Sequence, residues 1–270
     1  MTISFIVPTF TTPEQLVQRC IDSIRRFCAR YGVGLDLVIV RDEVILSAAR
    51  NIGLRRATGD WIWCVDGDDE VVSEGSIVGR LDKMDADIVV FGIEQRWGRF
   101  GHKMLHLPHS GFRGVVGKEC LEKEARGILF RSLCNKLIRR SFIEENGLLL
   151  DEASEPCEDG IFIIRCLMAG AKWDYVAEVG YVYWRRLGSS LFRYCPSLEE
   201  ALIKEDELWD RLAMEMEVGS LSKCKWPETL ANRMRVANYL AKGDFERVSI
   251  KDRVYYFMVK IRRIMRFCGI

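Results

Sequence analysis

The feature that most constrains this fold is an alternation of short apolar runs with longer segments whose apolar residues recur at helical spacing. Residues 3–7 are apolar and stop at Pro8, and a helical pattern follows over residues 13–30, with Leu16, Cys20, Ile21, Ile24 and Phe27 on one face. Thr12 reads as its N-cap and Pro13 as its first residue, where a missing amide costs little. Residues 35–40 predict a second buried strand, 47–57 a helix, and 61–65 a third strand that ends abruptly at Asp-Gly-Asp-Asp-Glu. Strands alternating with helices imply an α/β fold with a mostly parallel, Rossmann-like sheet flanked by helices. In such sheets ligands bind beyond the carboxyl ends of the strands. The loop after Val7, the residues after Val40 and the acidic run after Val65 therefore fall on one edge.

Further along, the pattern predicts a helix over residues 76–84, a strand over 87–91, a helix over 118–127, a helix over 158–169 and a strand over 174–184. Residues 96–117 are rich in Gly, His and Arg and give no readable period, and residues 133–146 form a further segment of undecided type. From residue 197 onward the sequence is helical and strongly charged. The expected organisation is a domain over residues 1–196, divided into a ligand-binding half (1–95) and a catalytic half (96–196), followed by a C-terminal helical extension over 197–270.

With 270 residues and 49% hydrophobic content, the chain can bury one sizeable core plus a small appended unit. Forty basic against 39 acidic residues argue for no nucleic-acid partner. The ten cysteines include no C-x-x-C pair, and several lie in apolar runs, as Cys64 does in IWCV, which suits a reducing, cytoplasmic setting. The N-terminus lacks the marks of a secretory signal. No stretch reaches the roughly eighteen apolar residues that a membrane span needs. Any membrane contact is then peripheral, at the inner face. Its candidate is residues 254–270, which mix Tyr255, Tyr256, Phe257 and Ile261 with Lys260, Arg262, Arg263 and Arg266. That composition suits a basic amphipathic helix on anionic lipid, and equally a helix packed on its own domain.

The strongest chemical signal is Asp66, Gly67, Asp68 and Asp69, placed directly after an apolar strand. Three carboxylates in four residues repel one another unless a cation or hydrogen-bond donors neutralise them. Oxygen ligands on a tight turn suit Mg²⁺ or Mn²⁺, which keeps positions open for diphosphate oxygens; a solvated acidic turn is the other reading. Arg50, in the segment Ala49-Arg50-Asn51-Ile52-Gly53, is a fixed cation that can approach a diphosphate. Gly53 and Gly59 allow close packing or a helix stop. Glu158 and Asp159 open a helical pattern, where acids favour the positive end of the helix dipole.

The run SAARNIGLRRATGDWIWCVDGDDEV resembles the core of glycosyltransferase family 2, whose members have the GT-A fold. SFIVPTF is similar to that family's first strand and donor loop, including Pro8 and Thr9. CNKLIRRSFIEENGL, EPCEDGIFIIRCLMAGAK and VGYVYWRRLGSS follow in the family's order, so the resemblance covers residues 1–192. It implies an inverting, metal-dependent transfer from a nucleotide-sugar donor, with a UDP-sugar expected, to a hydroxyl of a glycan or lipid-linked acceptor, in surface polysaccharide synthesis. It implies that Asp68 and Asp66 hold the metal, with Asp66 nearer the donor ribose and Asp69 assisting. Asp159, beside Glu158, would take the acceptor proton, and Arg185, with Arg186 as its rival, would meet the departing diphosphate. Lys136 matches a position near the acceptor, a solvated lysine being the other reading.

The chain departs from the family after its second strand. Two aspartates, a helix and a strand are usual there, whereas here Arg41, Asp42 and Glu43 lead almost at once to Ser47. Asp42 remains the candidate for the nucleotide base. His102, His106 and His109 have spacings that would bring two onto a helical face, but no ligand partners sit beside them. Two other functions remain in view: a nucleotide-sugar-binding protein without turnover, and a phosphohydrolase of the haloacid dehalogenase type. Asp69 and Glu70 stand against the latter where it needs an acid and then a small hydroxyl residue.

Overall fold

The computed structural model describes residues 1–75, 77–81, 84–97, 102–108, 115–116, 132–153 and 158–185. The helices expected at 118–127 and in the C-terminal extension, the 254–270 segment, His109 and Arg186 lie outside these. The described elements are β1 (Thr2–Pro8), α1 (Glu14–Tyr31), β2 (Gly34–Val40), α2 (Leu46–Arg56), β3 (Trp61–Cys64), β4 (Glu70–Val71), α3 (Ile77–Leu81), β5 (Ile88–Trp97), β6 (His102–His106), β7 (Val115–Val116), β8 (Lys136–Arg139), α4 (Arg140–Glu145), α5 (Glu158–Met168) and β9 (Lys172–Arg185). They build one sheet in the order β2-β1-β3-β8-β5-β9-β4, with β6 on β5 and β7 on β9. β1 is parallel to β2 and β3, β8 is antiparallel to β3 and β5, and β5 is parallel to β9. The carboxyl ends of β1, β2, β3, β5 and β9 consequently share one edge. This is the parallel-dominated α/β sheet that the apolar alternation predicts.

Strands buried on both faces read as unbroken apolar runs. Ile3, Phe5, Ile6 and Val7 of β1 and all of β3 are such runs. β2 corrects the expectation of a second buried strand: it is the sheet edge, and Leu35 is 39% exposed. The reason is the short connection after Val40, which passes straight into α2 and supplies no strand to cover it.

Helix α1 lays Cys20, Ile21, Ile24 and Phe27 on the sheet, with Leu16 only half-buried. Phe27 meets Phe5 and Trp63 edge-on at 6.1 and 5.4 Å, and Trp63 continues to Phe91 at 4.6 Å. This aromatic column joins α1 to β1, β3 and β5. The cap differs from expectation. Pro13, not Thr12, is the N-cap, no side chain bonds the first turn, and Thr11 takes a left-handed conformation (φ 57°) that turns the chain into the helix.

The helix expected over residues 76–84 is described only as Ile77–Leu81. The unreadable stretch from residue 96 is partly a hairpin: β5 continues to Trp97 and pairs antiparallel with β6, Ile93 opposite His106 and Trp97 opposite His102. His102 and His106 thus lie on a strand, not on a helical face. Among the described residues no three His, Cys, Asp or Glu side chains converge to hold a metal, and no helix is long and apolar enough to cross a membrane. Cys20, Cys28, Cys64, Cys134 and Cys166 are buried free thiols.

Two glycines allow close approach to β1. A Cβ on Gly53 would lie 2.2 Å from Ile6 Cγ2, so α2 sits directly on β1. A Cβ on Gly59 would stand 2.7 Å from the Ser4 amide nitrogen and 2.9 Å from the Thr2 carbonyl, backbone that cannot swing aside. Gly59→Ala is therefore expected to destabilise the protein by about 1–3 kcal/mol, the usual range for forced overpacking, read as a lower urea midpoint with an unchanged slope.

Candidate active site

The acidic turn is built where β3 runs out. The Val65 amide donates to the Ile6 carbonyl (2.9 Å), and the Asp69 amide closes the turn onto the Asp66 carbonyl (2.9 Å). A Cβ on Gly67 would stand 2.9 Å from the Pro8 carbonyl and 3.0 Å from Thr9 Cγ2, so glycine is what lets the turn lie against the end of β1. The buried Thr9 donates its amide (2.9 Å) and its hydroxyl (3.4 Å) to the Val40 carbonyl, stapling the β1 loop to the end of β2. Pro8, Thr9 and Gly67 are thereby brought together. Asp42 lies exposed just past β2, next to Arg41, which pairs on the surface with Glu14 (2.8 Å).

The carboxylates of the turn part company. Asp69 is fully buried and accepts the Tyr181 hydroxyl at 2.7 Å and the Trp184 amide at 2.8 Å. Burial, reinforced by Asp66 and Asp68, pushes its carboxyl well above the ordinary aspartate range, and the two donors pull the other way. Tyr181 in turn accepts the Asp66 amide at 3.2 Å, so one phenol holds both ends of the turn. Glu70 accepts the Trp184 indole N–H (2.7 Å) and pairs with Arg19 (3.1 Å). Arg19 also stacks 4.8 Å over the Trp184 ring and donates to the Asp68 carbonyl at 3.0 Å. Asp66 and Asp68 are left partly exposed, the Asp66 side chain by 31%.

Arg50 joins this turn to the second acidic pair. Its guanidinium is 3% exposed and donates to Asp66 at 2.9 Å, to Glu158 at 3.1 Å and to Asp159 at 2.6 Å. Burial alone would weaken its hold on the proton, but Asp159, Asp66 and Glu158 outweigh that and keep it firmly charged. Sequence spacing points Arg50 at a diphosphate; in the fold it is turned to these three carboxylates. Asn51, its neighbour, donates to the Leu150 carbonyl (3.0 Å) and to Glu152 (2.9 Å) and accepts the Leu150 amide (2.8 Å), tethering the segment that leads towards α5.

Glu158 and Asp159 occupy the first turn of α5, where the helix dipole favours negative charge. The Glu158 side chain is 6% exposed and that of Asp159 26%, so Asp159 is the one within reach of an incoming hydroxyl. Its Oδ1 meets Arg50 and its Oδ2 accepts the Leu133 amide at 3.1 Å. Arg185 ends β9 at the same edge, its backbone opposite Trp97. Lys136 is buried, which rules out the solvated reading. Tyr181 and Arg19 escape sequence reasoning. Tyr181 carries a faint signal in the inward phase of the alternating VGYVYW, and Arg19 in being a cation beside the apolar face of α1.

Residues 34–147 match the model of Glycosyl transferase family 2, and the chain is similar to glycosyltransferases of that family. It is 26% identical to the uncharacterized glycosyltransferase EpsJ of Bacillus subtilis (strain 168), over 83% of this chain and 72% of that protein. It is 25% identical to the succinoglycan biosynthesis protein ExoO of Rhizobium meliloti (strain 1021), over 69% of this chain, and spans 62% of that protein. In fold it is similar to S. aureus TarS 1–349 solved in complex with UDP-GlcNAc, with a TM-score of 0.58 and 17% identity over 94% of this chain and 78% of that one. The GT-A architecture expected from the sequence is thus the observed one.

Removing the shared cation strands its acids. Arg50→Ala is expected to cost about 3–5 kcal/mol, as for breaking a buried ion pair from one side. Arg50→Lys, whose single ammonium cannot span three partners, recovers only part. Urea denaturation of the three proteins checks both.

Proposed function

We propose that this chain is a family 2 glycosyltransferase that moves a sugar, with inversion, from a nucleoside diphosphate donor to a hydroxyl of a glycan or lipid-linked acceptor in polysaccharide synthesis. The observation that carries the reading is the Arg50 guanidinium, which holds Asp66 of the acidic turn and Asp159 of α5 at 2.9 and 2.6 Å. A donor-side carboxylate and an accessible base candidate are within one side chain's span, the separation at which a donor's reacting carbon and an acceptor hydroxyl meet. The relative named for succinoglycan biosynthesis supports a polysaccharide product, and the fold neighbour solved with UDP-GlcNAc supports a UDP-sugar as the first donor to try.

In the proposed step the acceptor hydroxyl gives its proton to Asp159 as its oxygen bonds to the anomeric carbon. The bond from that carbon to the diphosphate oxygen breaks on the opposite face, and the nucleoside diphosphate leaves with the electron pair. Arg50 and the Leu133 amide fix both oxygens of the Asp159 carboxylate, so its orientation is set before the acceptor arrives. Pro8, Thr9 and Asp42 would line the nucleoside side, and Arg185 would meet the departing charge.

The donor set suits Mn²⁺ or Mg²⁺. Asp69 is spent on Tyr181 and Trp184, leaving Asp66 and Asp68 as two hard oxygen ligands, and such ions typically take one or two carboxylates and complete their shell with phosphate and water. Asp66, Glu158 and Asp159 face one arginine, an excess of negative charge that an anionic donor could not approach unaided. When bound, the ion supplies the positive charge that holds the diphosphate and eases its departure. A lipid-linked acceptor would bring the protein to a membrane surface, with residues 254–270 as the contact segment.

Release of free nucleoside diphosphate from UDP-, GDP- and TDP-sugars with Mn²⁺ tests this reading. One donor should be turned over, EDTA should stop the reaction and Mn²⁺ should restore it. Asp68→Ala should lose metal-dependent donor binding. Asp159→Asn should bind donor and lose about 10²–10⁴-fold in rate, the range for a positioned general base. Donor binding with metal but without turnover, across mixed glycan acceptors, would favour a binding module. Absence of any donor binding sinks the site assignment.

A further inference from the structure

The charged residues buried among those described are Arg50, Asp69, Glu158 and Lys136. The first three belong to the acid cluster. Lys136, 1% exposed at the start of β8, has no part in the chemistry above. Taking an ammonium out of water is far more costly than placing a leucine or methionine of similar size in the same space, so its presence needs a reason.

Its surroundings supply one. The ammonium donates to the Ser132 carbonyl and, at 3.0 Å, to Asn135 Oδ1, while the Lys136 amide donates to the Leu133 carbonyl at 3.0 Å. The side chain thus folds back over the turn that precedes it and ties that turn from within, 5.8 Å from the centre of the Trp173 ring. The same turn is pinned to the sheet. Asn135 exchanges bonds with Phe91, side-chain amide to carbonyl at 3.0 Å and amide to carbonyl at 3.1 Å, and the Cys134 carbonyl accepts the Trp63 indole at 2.7 Å. What the turn presents to the site is the Leu133 amide, 3.1 Å from Asp159 Oδ2. The Cys134 thiol, pushed up by burial and by Asp66, Asp69 and Asp159, is pulled down by Lys136, so the ammonium and the acids act on one buried atom.

We propose that Lys136 is a positioning residue for Asp159: by clamping the turn of residues 132–136 it aims the Leu133 amide at the carboxylate that takes the acceptor proton. The proposal rests on the reading of Asp159 as the base. A lysine serving only the core would, on removal, weaken fold, donor binding and turnover alike. A lysine that aims Asp159 separates them.

Lys136→Met, which keeps the volume and removes the charge, tests this in the full chain with Mn²⁺ and the donor identified from the panel. Donor Kd by calorimetry should stay within about twofold, while kcat falls at least about tenfold, the pattern of an interaction felt in the transition state. Placed in the Asp159→Asn background, the same change should lower the residual rate by less than about twofold, because both act through one group. Lys136→Arg, which retains a cation over the turn, should keep more of kcat than the methionine variant. Should Lys136→Met fail to fold, Asn135→Ala, which removes the ammonium's side-chain acceptor, carries the same expectation. If Asp159→Asn is inactive while kcat is unchanged in the Lys136→Met or, in its place, the Asn135→Ala variant, the proposal falls and the base assignment stands. If losses multiply fully in the double variant, Lys136 acts elsewhere and the proposal falls. If Asp159→Asn keeps full turnover, the reading of the base falls, and this proposal with it.

Discussion

The candidate site depends on one guanidinium. Arg50, buried at 3% exposure, meets three carboxylates from two distant parts of the chain, Asp66 at the end of β3 and Glu158 with Asp159 at the start of α5. Each of these acids alone would be poorly placed so close to the others, and their mutual repulsion would push the acidic turn and the helix apart. A planar, permanently charged group with several donors satisfies all three at once, which a lysine's point charge does not. The relative placement of turn and helix is in this sense an electrostatic compromise centred on α2.

Around that centre, acids of the same type take different work because of what surrounds them. Asp69 is enclosed and bonded by Tyr181 and the Trp184 amide, so it serves as the peg on which the turn hangs. Glu70 is held by Arg19 and the Trp184 indole. Asp66 and Asp68 stay partly open. The division follows from the partners: Tyr181, Trp184 and Arg19 engage Asp69 and Glu70, while Asp66 and Asp68 stay at the rim of the turn.

Much of this architecture is legible in the order of the amino acids, and the parts that are not have physical causes. β1, α1 and β3 can be read because their apolar residues are continuous or periodic, which is what burial on two faces or one face requires. The β5–β6 hairpin cannot, since Glu94, Gln95 and Arg96 continue the strand with polar side chains and break the period that marks its first half. β2 misleads because an apolar strand at a sheet edge has the composition of an interior one. The acids that meet Arg50 are hidden for a different reason: Glu158 and Asp159 lie 108 and 109 residues away, and no local pattern encodes that meeting. Tyr181, 112 residues from Asp69, is invisible on the same ground.

The sharing of Arg50 also bears on how such a protein can change over generations. The side chain proposed to orient Asp159 is also the one that reconciles the neighbouring acids, so selection for a stable fold would keep the arrangement even where selection for turnover lapsed. A descendant that abandoned catalysis would keep the outward form of the site for a long time, and a sequence carrying Arg50 with its three acids is therefore a record of ancestry before it is a certificate of activity.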